Sequence, residues 1–163
     1  MKKVYFDSQR CLGCHSCEFA CAVEHSVSKD PVRASLEEER PISRRKVKLV
    51  ETMCLTVGCR HCQPAPCVEA CMAGAMTKDF ETGEVALDEE KCVGCWMCVM
   101  VCPFGAVRPG RVFSIKCDMC PDRDQSPVCV EACPTGALFE ATAEEFRELT
   151  AKKNSARKAE VTK

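Results

Sequence analysis

The sequence lacks the features of membrane and exported proteins. None of its 163 residues belongs to a run approaching the roughly 18 consecutive apolar residues that a membrane-spanning helix needs. Residues 1–7 contain two lysines but no apolar segment, no small-residue cleavage site and no twin-arginine pattern. We therefore expect a cytoplasmic protein with no direct membrane span.

Motifs for catalysis are missing as well. The sequence has no glycine-rich phosphate loop and no dinucleotide-binding fingerprint. It also has no Ser/His/Asp or Cys/His combination outside the cysteine groups described next. The sequence therefore predicts no catalytic residues and no enzyme activity of its own.

Cysteine, in contrast, is abundant, with seventeen residues. Sixteen of them form four groups of four, which we number one to four along the chain. The groups are Cys11-x2-Cys14-x2-Cys17-x3-Cys21, Cys59-x2-Cys62-x4-Cys67-x3-Cys71, Cys92-x2-Cys95-x2-Cys98-x3-Cys102 and Cys117-x2-Cys120-x8-Cys129-x3-Cys133. Groups one and three have the spacing of bacterial ferredoxins, and Pro103 and Pro134 directly follow the last cysteines of groups three and four. Four thiolates hold one [4Fe–4S] cluster, so the sequence predicts four clusters and leaves Cys54 over.

Zinc is the main alternative metal. Zinc ribbons use two Cys-x2-Cys pairs, without a third cysteine at the same spacing and without a closing cysteine followed by proline. A disulfide framework is disfavoured by the odd number of cysteines and by their regular spacing in a chain without an export signal. Because every ligand position is cysteine, we expect [4Fe–4S] and not [3Fe–4S] clusters.

The predicted clusters change the net charge of the protein. The chain has 23 Lys and Arg, 24 Asp and Glu, and a formal net charge of −1. Four oxidised clusters with their thiolates would add roughly −8. The cations are therefore counter-charge and not a nucleic-acid footprint, and we expect no nucleic-acid partner. The cations beside the cysteine groups could raise the reduction potentials of the clusters or could be solvated surface residues. They are Lys91, Arg108, Arg111, Lys116 and Arg123.

An internal repeat indicates the fold class. Groups one and three share Cys-[Leu/Val]-Gly-Cys-x-x-Cys, and groups two and four share Cys-Val-Glu-Ala-Cys-x-x-Gly-Ala. The alternation predicts duplication of a two-cluster unit. A short β-prone run precedes each group, at residues 4–6, 47–50, 85–87 and 112–115. A short helix is predicted after each third cysteine, carrying the fourth. The fold class is therefore α+β: duplicated ferredoxin-like units, small and loop-rich, with short strands and helices around the clusters.

Two regions lie outside the repeat. Residues 1–140 form the predicted four-cluster domain, in which residues 22–46 are a polar, partly helical insertion that is either solvated or a docking surface. Residues 141–163 begin as a helix, with Thr142 as N-cap. The basic end of the chain from Lys152 is predicted to be disordered.

A few single residues carry open alternatives. Cys54 is either a small buried apolar residue or a spare ligand. His15 and His61 lie inside cysteine groups, where they either donate a hydrogen bond to sulfur or cap loop backbone. His25 is predicted at the surface, and Trp96 is predicted to shield a cluster from water.

The four cysteine groups, the second with an x4 gap and the fourth with an x8 gap, resemble those of the four-cluster ferredoxin-like electron-transfer subunits of anaerobic oxidoreductases. This family includes the iron–sulfur subunits of formate dehydrogenases, formate hydrogenlyase and dimethyl-sulfoxide-type reductases. Residues 11–26 are most similar to the iron–sulfur proteins associated with carbon monoxide dehydrogenase. The resemblance covers residues 1–140.

The resemblance implies a nested set of ligands, in which groups one and four form one half and groups two and three the other. It assigns cluster one to Cys11, Cys14, Cys17 and Cys133; cluster two to Cys21, Cys117, Cys120 and Cys129; cluster three to Cys59, Cys62, Cys67 and Cys102; and cluster four to Cys71, Cys92, Cys95 and Cys98. Spacing alone leaves open which groups pair.

The predicted function is a non-catalytic electron-transfer subunit. By resemblance, it relays electrons between a carbon monoxide or formate dehydrogenase and a hydrogenase or flavin-containing NAD(P)H oxidoreductase. A freely diffusing polyferredoxin without a fixed partner is the alternative of a different class, and a structural zinc protein is a third.

Overall fold

Two ladders of strands each join two cysteine groups, one across the whole chain and one between groups that are neighbours in the sequence. The structure is a computed structural model that describes residues 2–123 and 125–161, with side chains described up to residue 152. Strand β1 (Lys3–Phe6) pairs antiparallel with β8 (Leu138–Ala141), and β4 (Met76–Lys78) pairs antiparallel with β5 (Val85–Leu87). Because β1 precedes group one and β8 follows group four, the first ladder joins these two groups. The second ladder joins groups two and three in the same way.

The remaining described strands form two local hairpins. Strand β2 (Lys46–Val50) pairs with β3 (Met53–Val57), and β6 (Arg108–Pro109) pairs with β7 (Ser114–Ile115). The predicted strands are present, but the fourth is shorter than residues 112–115. Phe113 belongs to the turn between β6 and β7, where its carbonyl accepts a hydrogen bond from the Gly110 amide at 3.1 Å.

The helices extend the same pairing. They are α1 (Ser16–Glu24), α2 (Pro31–Leu36), α3 (Pro66–Glu69), α4 (Met97–Val101), α5 (Val128–Glu131) and α6 (Ala143–Val161). Helix α1 packs against α5, and α3 packs against α4. We call β1, α1, α5 and β8, with groups one and four, the terminal half. The central half is α3, β4, β5 and α4, with groups two and three. This arrangement of short helices and short antiparallel strands confirms the predicted loop-rich α+β fold.

Each half has its own apolar core, and cysteines form part of both. The core of the terminal half is built on Cys17, Val47, Cys129 and Leu138. That of the central half is built on Ala65, Met76, Val85, Cys98 and Val107. Cysteine side chains occupy core positions that aliphatic side chains would occupy in an ordinary protein. The apolar side chains of each half therefore pack around its sulfur atoms.

The prediction that each helix carries the fourth cysteine of its group is correct only for α1, which contains Cys21. Helices α3, α4 and α5 end at Glu69, Val101 and Glu131, before the fourth cysteine. In those three groups a turn follows, closed by a hydrogen bond from the amide of a glycine to the carbonyl of the fourth cysteine. The glycines are Gly74, Gly105 and Gly136, with φ of 62°, 59° and 60°. Positive φ is easily reached by glycine, and group one has Glu24 in this position and continues as helix.

The C-terminal helix begins as predicted but is longer. Thr142 Oγ1 accepts a hydrogen bond from the Glu145 amide at 3.2 Å, and Glu145 Oε2 accepts one from the Thr142 amide at 2.7 Å. This reciprocal pair is a capping box. Phe146 stacks on Tyr5 of β1, with ring centroids 4.1 Å apart. Helix α6 extends through Val161, and the disorder predicted for the basic end of the chain from Lys152 stays a prediction. A run of Ala, Lys, Arg and Glu without Pro or Gly favours helix even without apolar periodicity.

Candidate metal centres

One backbone feature recurs in all four cysteine groups. The residue before the second cysteine has a left-handed conformation, with φ between 46° and 67°. These residues are Gly13, His61, Gly94 and Met119. Such a conformation within a tight turn lets successive amide groups form a concavity that binds anions. The two non-glycine examples are held in an unfavourable region of backbone space, which is a feature of functional sites. All four loops therefore share this left-handed residue before the second cysteine, as expected of ligand loops for an anionic group.

The fold brings together the cysteines of different groups. Cys133 of group four packs against the terminal core that contains Cys17 of group one. Cys71 of group two and Cys102 of group three both pack against the central core around Cys98. In each half, therefore, the cysteines of two groups converge at one core.

Finer subsets are visible in the thiols that influence one another's ionisation. Cys14 interacts with Cys133. Cys21 interacts with all three of Cys117, Cys120 and Cys129. Cys59 and Cys67 interact with each other and with Cys102, and Cys59 also interacts with Cys62. Cys17 lies near Cys129 as well. These subsets cross the boundaries between groups, as a shared cluster requires.

A cavity marks the remaining subset. Cys71, Cys92, Cys95 and Cys98 line a single cavity whose empty volume, including space open to solvent, is about 320 Å³. Trp96 lines it too, in agreement with its predicted shielding role. Cys11 is half-buried beside the 3₁₀ turn Ser8–Arg10. Of the sixteen predicted ligands, it is the one that is supported only by its position in a ligand loop and by none of the subsets above.

Several of the buried thiols are not ionised by the protein alone. Burial raises the pKa of Cys17, Cys67 and Cys117 to about 11, and that of Cys120 to about 12. These groups would remain protonated near neutral pH. Ligation by metal deprotonates a thiol, and thiolates are the ligands that iron–sulfur clusters use. The buried, converging thiols in anion-binding loops therefore fit such a cluster.

Similarity to known proteins agrees with this chemistry. Residues 50–142 match the 4Fe-4S dicluster domain family. The chain belongs to this family of iron–sulfur proteins. Its iron–sulfur character, predicted above in preference to zinc, is thereby confirmed.

Curated relatives extend the match over most of the chain. An iron-sulfur protein of Rhodospirillum rubrum is 40% identical over 83% of this chain and 79% of its own length. The electron transport protein HydN of Escherichia coli strain K12 is 36% identical, over 90% of this chain and 91% of its own. The thiosulfate reductase electron transfer subunit PhsB of Salmonella typhi is 38% identical, over 81% and 71%. These relatives confirm the predicted class, a non-catalytic electron-transfer subunit.

Hydrogen bonds to sulfur follow a pattern in this iron–sulfur protein. The fourth cysteine of every group accepts a backbone hydrogen bond. Cys21 accepts from the Arg44 amide at 3.2 Å, Cys71 from the Met76 amide at 3.3 Å and Cys102 from the Ala106 amide at 3.4 Å. Cys133 accepts from the Leu138 amide. Such bonds orient the ligand and tune the potential of a cluster.

The insertion does not behave as a wholly solvated or docking segment. Its residue Arg44 binds the Asp118 side chain and donates its backbone amide to Cys21. His25, predicted at the surface, has only 13% of its side chain exposed. Its Nε2 lies 3.2 Å from Asp118 Oδ1 and its Nδ1 lies 3.7 Å from Cys21 Sγ. Although burial opposes the charged form, the Asp118 and Cys21 partners raise the pKa of His25 to about 10. The prediction for His25 is therefore wrong, because a partner 93 residues away covers it.

Contacts bear on the alternatives predicted for two other residues. His61 is buried and its Nδ1 accepts a hydrogen bond from the Val85 amide of β5 at 3.0 Å, so one ring nitrogen binds backbone, and a hydrogen bond from the ring to sulfur stays a prediction. Its Nε2 has no hydrogen-bond partner among the described residues. Cys54 lies in β3, where its Sγ packs so closely on Gly13 that a Cβ added to Gly13 would stand 2.6 Å away. Cys54 is half-buried and supports the first ligand loop by packing, and the choice between the two alternatives for it stays open.

In the part of the chain that the structure describes, no helix has both the length and the apolar character needed to cross a membrane.

Proposed function

We propose that this chain holds four [4Fe–4S] clusters through the nested ligand sets given above. The observation that carries the proposal is the pairing of β1 with β8 and of β4 with β5. These ladders join the same groups that the nested arrangement combines. Support also comes from Cys14 beside Cys133, and from Cys71 sharing a cavity with Cys92, Cys95 and Cys98.

The ends of the proposed relay are distinguished by exposure. Cys14 of set one and Cys95 of set four are the exposed ligands, whereas all four cysteines of set two are buried. Large apolar side chains stand in the solvent near both ends: Leu12 and Phe19 near Cys14, and Val93 and Met100 near Cys95. Clusters one and four would therefore exchange electrons with partners, and clusters two and three would connect them. A [4Fe–4S] cluster takes up and releases one electron at a time.

The partners are redox enzymes. Support comes from the relative PhsB, whose name places it with thiosulfate reductase. For this chain we retain a carbon monoxide or formate dehydrogenase as donor, and a hydrogenase or flavin NAD(P)H oxidoreductase as acceptor. A freely diffusing carrier remains the second candidate, because exposed ends also suit brief encounters. Anaerobic purification from the native cell separates the two: a subunit elutes with an enzyme, and a carrier elutes alone. The cytoplasmic location predicted from the sequence stays a prediction.

Cluster content is the direct test. The reconstituted chain is expected to contain about sixteen iron atoms. Cys133→Ser should disturb cluster one, and Cys102→Ser should disturb cluster three, while the clusters of the opposite half persist in each variant. Cys54→Ser is the matched control and should leave the iron content unchanged. Iron and sulfide analysis with electron paramagnetic resonance (EPR) measures both. About eight iron atoms in the parent chain, or loss of clusters from both halves in Cys133→Ser, would contradict the proposal.

A further inference from the structure

Two cations are buried without a carboxylate partner. Arg45 is 4% exposed and Lys116 is 3% exposed. Among the described side chains, no Asp or Glu forms an ion pair with either of them. Other cations of this protein do have such partners: Lys91 pairs with Asp88, and Arg111 pairs with Glu39. A buried charge is costly unless an opposite charge or several hydrogen bonds compensate it. The few hydrogen bonds of these side chains compensate that cost only in part, so a source of negative charge other than a carboxylate would stabilise both.

Arg45 lies where ligand sets one and two meet. Its guanidinium packs on Gly58, where an added Cβ would stand 2.9 Å from Cζ. One nitrogen donates to Thr56 Oγ1 at 3.4 Å, and Nε has no partner in the described part of the chain. The guanidinium forms a hydrogen bond with Cys129 of set two, which packs beside Cys17 of set one in the terminal core. Its positive charge also favours the thiolate forms of Cys17, Cys117 and Cys129.

Lys116 lies where ligand sets two and three meet. It directly precedes Cys117 of set two, whose carbonyl accepts a hydrogen bond from Nζ at 2.7 Å. The ammonium also binds the carbonyl of Val85, which belongs to the central half. The Val85 amide in turn donates to Nδ1 of His61, which lies between Cys59 and Cys62 of set three. The ammonium charge also favours the thiolate forms of Cys59 and Cys67, both in set three. Lys116 thus reaches from the terminal half into the central half.

Thiolate-ligated clusters supply the missing negative charge. Four thiolates around an oxidised [4Fe–4S] core carry a total charge of about −2, and reduction by one electron makes it about −3. A fixed cation stabilises the more negative reduced form and so raises the reduction potential. In a dry interior this attraction is screened far less than at an exposed site.

We propose that Arg45 and Lys116 are the buried counter-charges of the clusters and set the potentials along the relay. Arg45 raises the potentials of clusters one and two, and Lys116 raises those of clusters two and three. Cluster four has no cation of this kind among the described residues. The inference rests on the four-cluster function proposed above and adds the residues that tune it.

Potentiometric titration of the anaerobic, reconstituted full chain tests the assignment. Each cluster signal is followed by EPR and assigned by its change in a Cys→Ser variant of the matching set. We expect Arg45→Gln to shift the reduction equilibria of clusters one and two about tenfold toward the oxidised form, which is about 59 mV for a one-electron couple. Lys116→Gln should shift clusters two and three by a similar factor. Cluster four should not move in either variant.

Two kinds of control separate charge from packing. Arg45→Lys and Lys116→Arg keep the charge and should restore most of the potential. Lys91→Gln removes an equal charge next to Cys92, but Lys91 is exposed and paired, so its effect should be several-fold smaller. If a Gln variant loses iron and its charge-conserving counterpart keeps it, the need for a counter-charge is equally supported.

Three results would overturn the inference. They are unchanged potentials in both Gln variants, an equal shift of all four clusters, and loss of iron in the Gln and charge-conserving variants alike. A parent chain with far fewer than about sixteen irons would instead contradict the proposed function. Full iron in the parent with unshifted variants would contradict this inference alone.

Discussion

The terminal and central halves use the same ligand motifs in different surroundings. Five of the eight cysteines in the terminal half's groups are buried, whereas Cys98 is the one buried cysteine of the eight in the central half. The insertion accounts for much of the difference. Its residues Arg44 and Arg45 lie against the terminal cysteines, and Val47, just beyond it, joins the terminal core.

This difference shows how one protein can hold chemically identical clusters at different potentials. Each proposed cluster has four cysteine ligands, so the number and type of ligands cannot distinguish the clusters. Solvent exposure, hydrogen bonds to sulfur and nearby charge can, since each changes the relative stability of oxidised and reduced forms. The terminal half has the greater burial and the guanidinium of Arg45, and the central half is more open to water.

The largest expected effect comes from truncating one large buried side chain, at an equivalent position, in each core. Leu138 and Met76 both stand two residues after the turn glycine of their groups, and both are 2% exposed. Leu138→Ala and Met76→Ala should each lower the free energy of unfolding by about 2–5 kcal/mol. At this chain length each kcal/mol lowers the melting temperature by about 2–4 °C.

The measurement is anaerobic thermal unfolding, followed by loss of the visible absorption of the clusters. EPR after partial heating then identifies which clusters disappear first. If the halves unfold separately, Leu138→Ala should lose clusters one and two early, and Met76→Ala clusters three and four. Simultaneous loss of all four signals in both variants would show that the halves unfold as a single unit.

Sequence alone predicts what is local in this fold. The cysteine spacing predicts the ligands, and the Cys-x-x-Gly repeat predicts the turns at Gly74, Gly105 and Gly136 because only a few consecutive residues determine each. The capping box at Thr142 is local in the same sense. The iron–sulfur class follows from these short-range patterns.

Long-range contacts are what the sequence does not reveal. The cysteine spacing leaves open which groups pair. The pairing of groups one and four becomes visible only in the β-ladder that joins Phe6 to Leu138, at opposite ends of the chain. Arg45 and His25 look like polar residues of a polar insertion. Arg45 is buried and His25 is mostly covered because β3 and the Asp118 loop, from distant parts of the sequence, pack over them. No pattern within the insertion marks that burial.

A loss of stability of intermediate size is expected at the glycine that precedes the second cysteine in groups one and three. Gly13 and Gly94 occupy equivalent positions, with φ of 67° and 66°. Alanine in a left-handed conformation costs about 1–2 kcal/mol at either site. At Gly94 the new Cβ would also meet the backbone oxygen of Val112 at 2.6 Å, whereas at Gly13 it would meet the Cys54 sulfur. Gly94→Ala should therefore be the more destabilising.

A double variant sharpens this test. Adding Cys54→Ala to Gly13→Ala removes the sulfur and should recover part of the lost stability, leaving mainly the backbone cost. No second substitution of a side chain can move the Val112 carbonyl out of the way of Gly94→Ala. Melting temperature and retained iron measure both series. Equal losses at the two sites, without rescue by Cys54→Ala, would refute the packing role of Cys54.

The smallest expected effect concerns an ion-pair bridge that only the terminal half shows among the described residues. Arg123 binds Glu24 of α1 at 2.8 Å and Glu131 of α5 at 2.6 Å. Glu69 occupies the position equivalent to Glu131 in α3 and forms no ion pair with another described residue. Because part of the bridge is exposed, Glu131→Gln should cost up to about 1 kcal/mol, and Glu69→Gln close to nothing.

The pH dependence of this bridge has a definite sign. Although burial opposes ionisation of Glu24, hydrogen bonds from Arg123 and Lys29 lower its pKa. The stabilisation is therefore present above the ordinary carboxyl pKa and is lost as pH falls through the lowered one. The stability difference between the parent and Glu24→Gln should stay constant from pH 8 to about pH 5 and should shrink only below that. A difference that already declines between pH 8 and pH 6 would mean that another group, and not Glu24, controls the contact between α1 and α5.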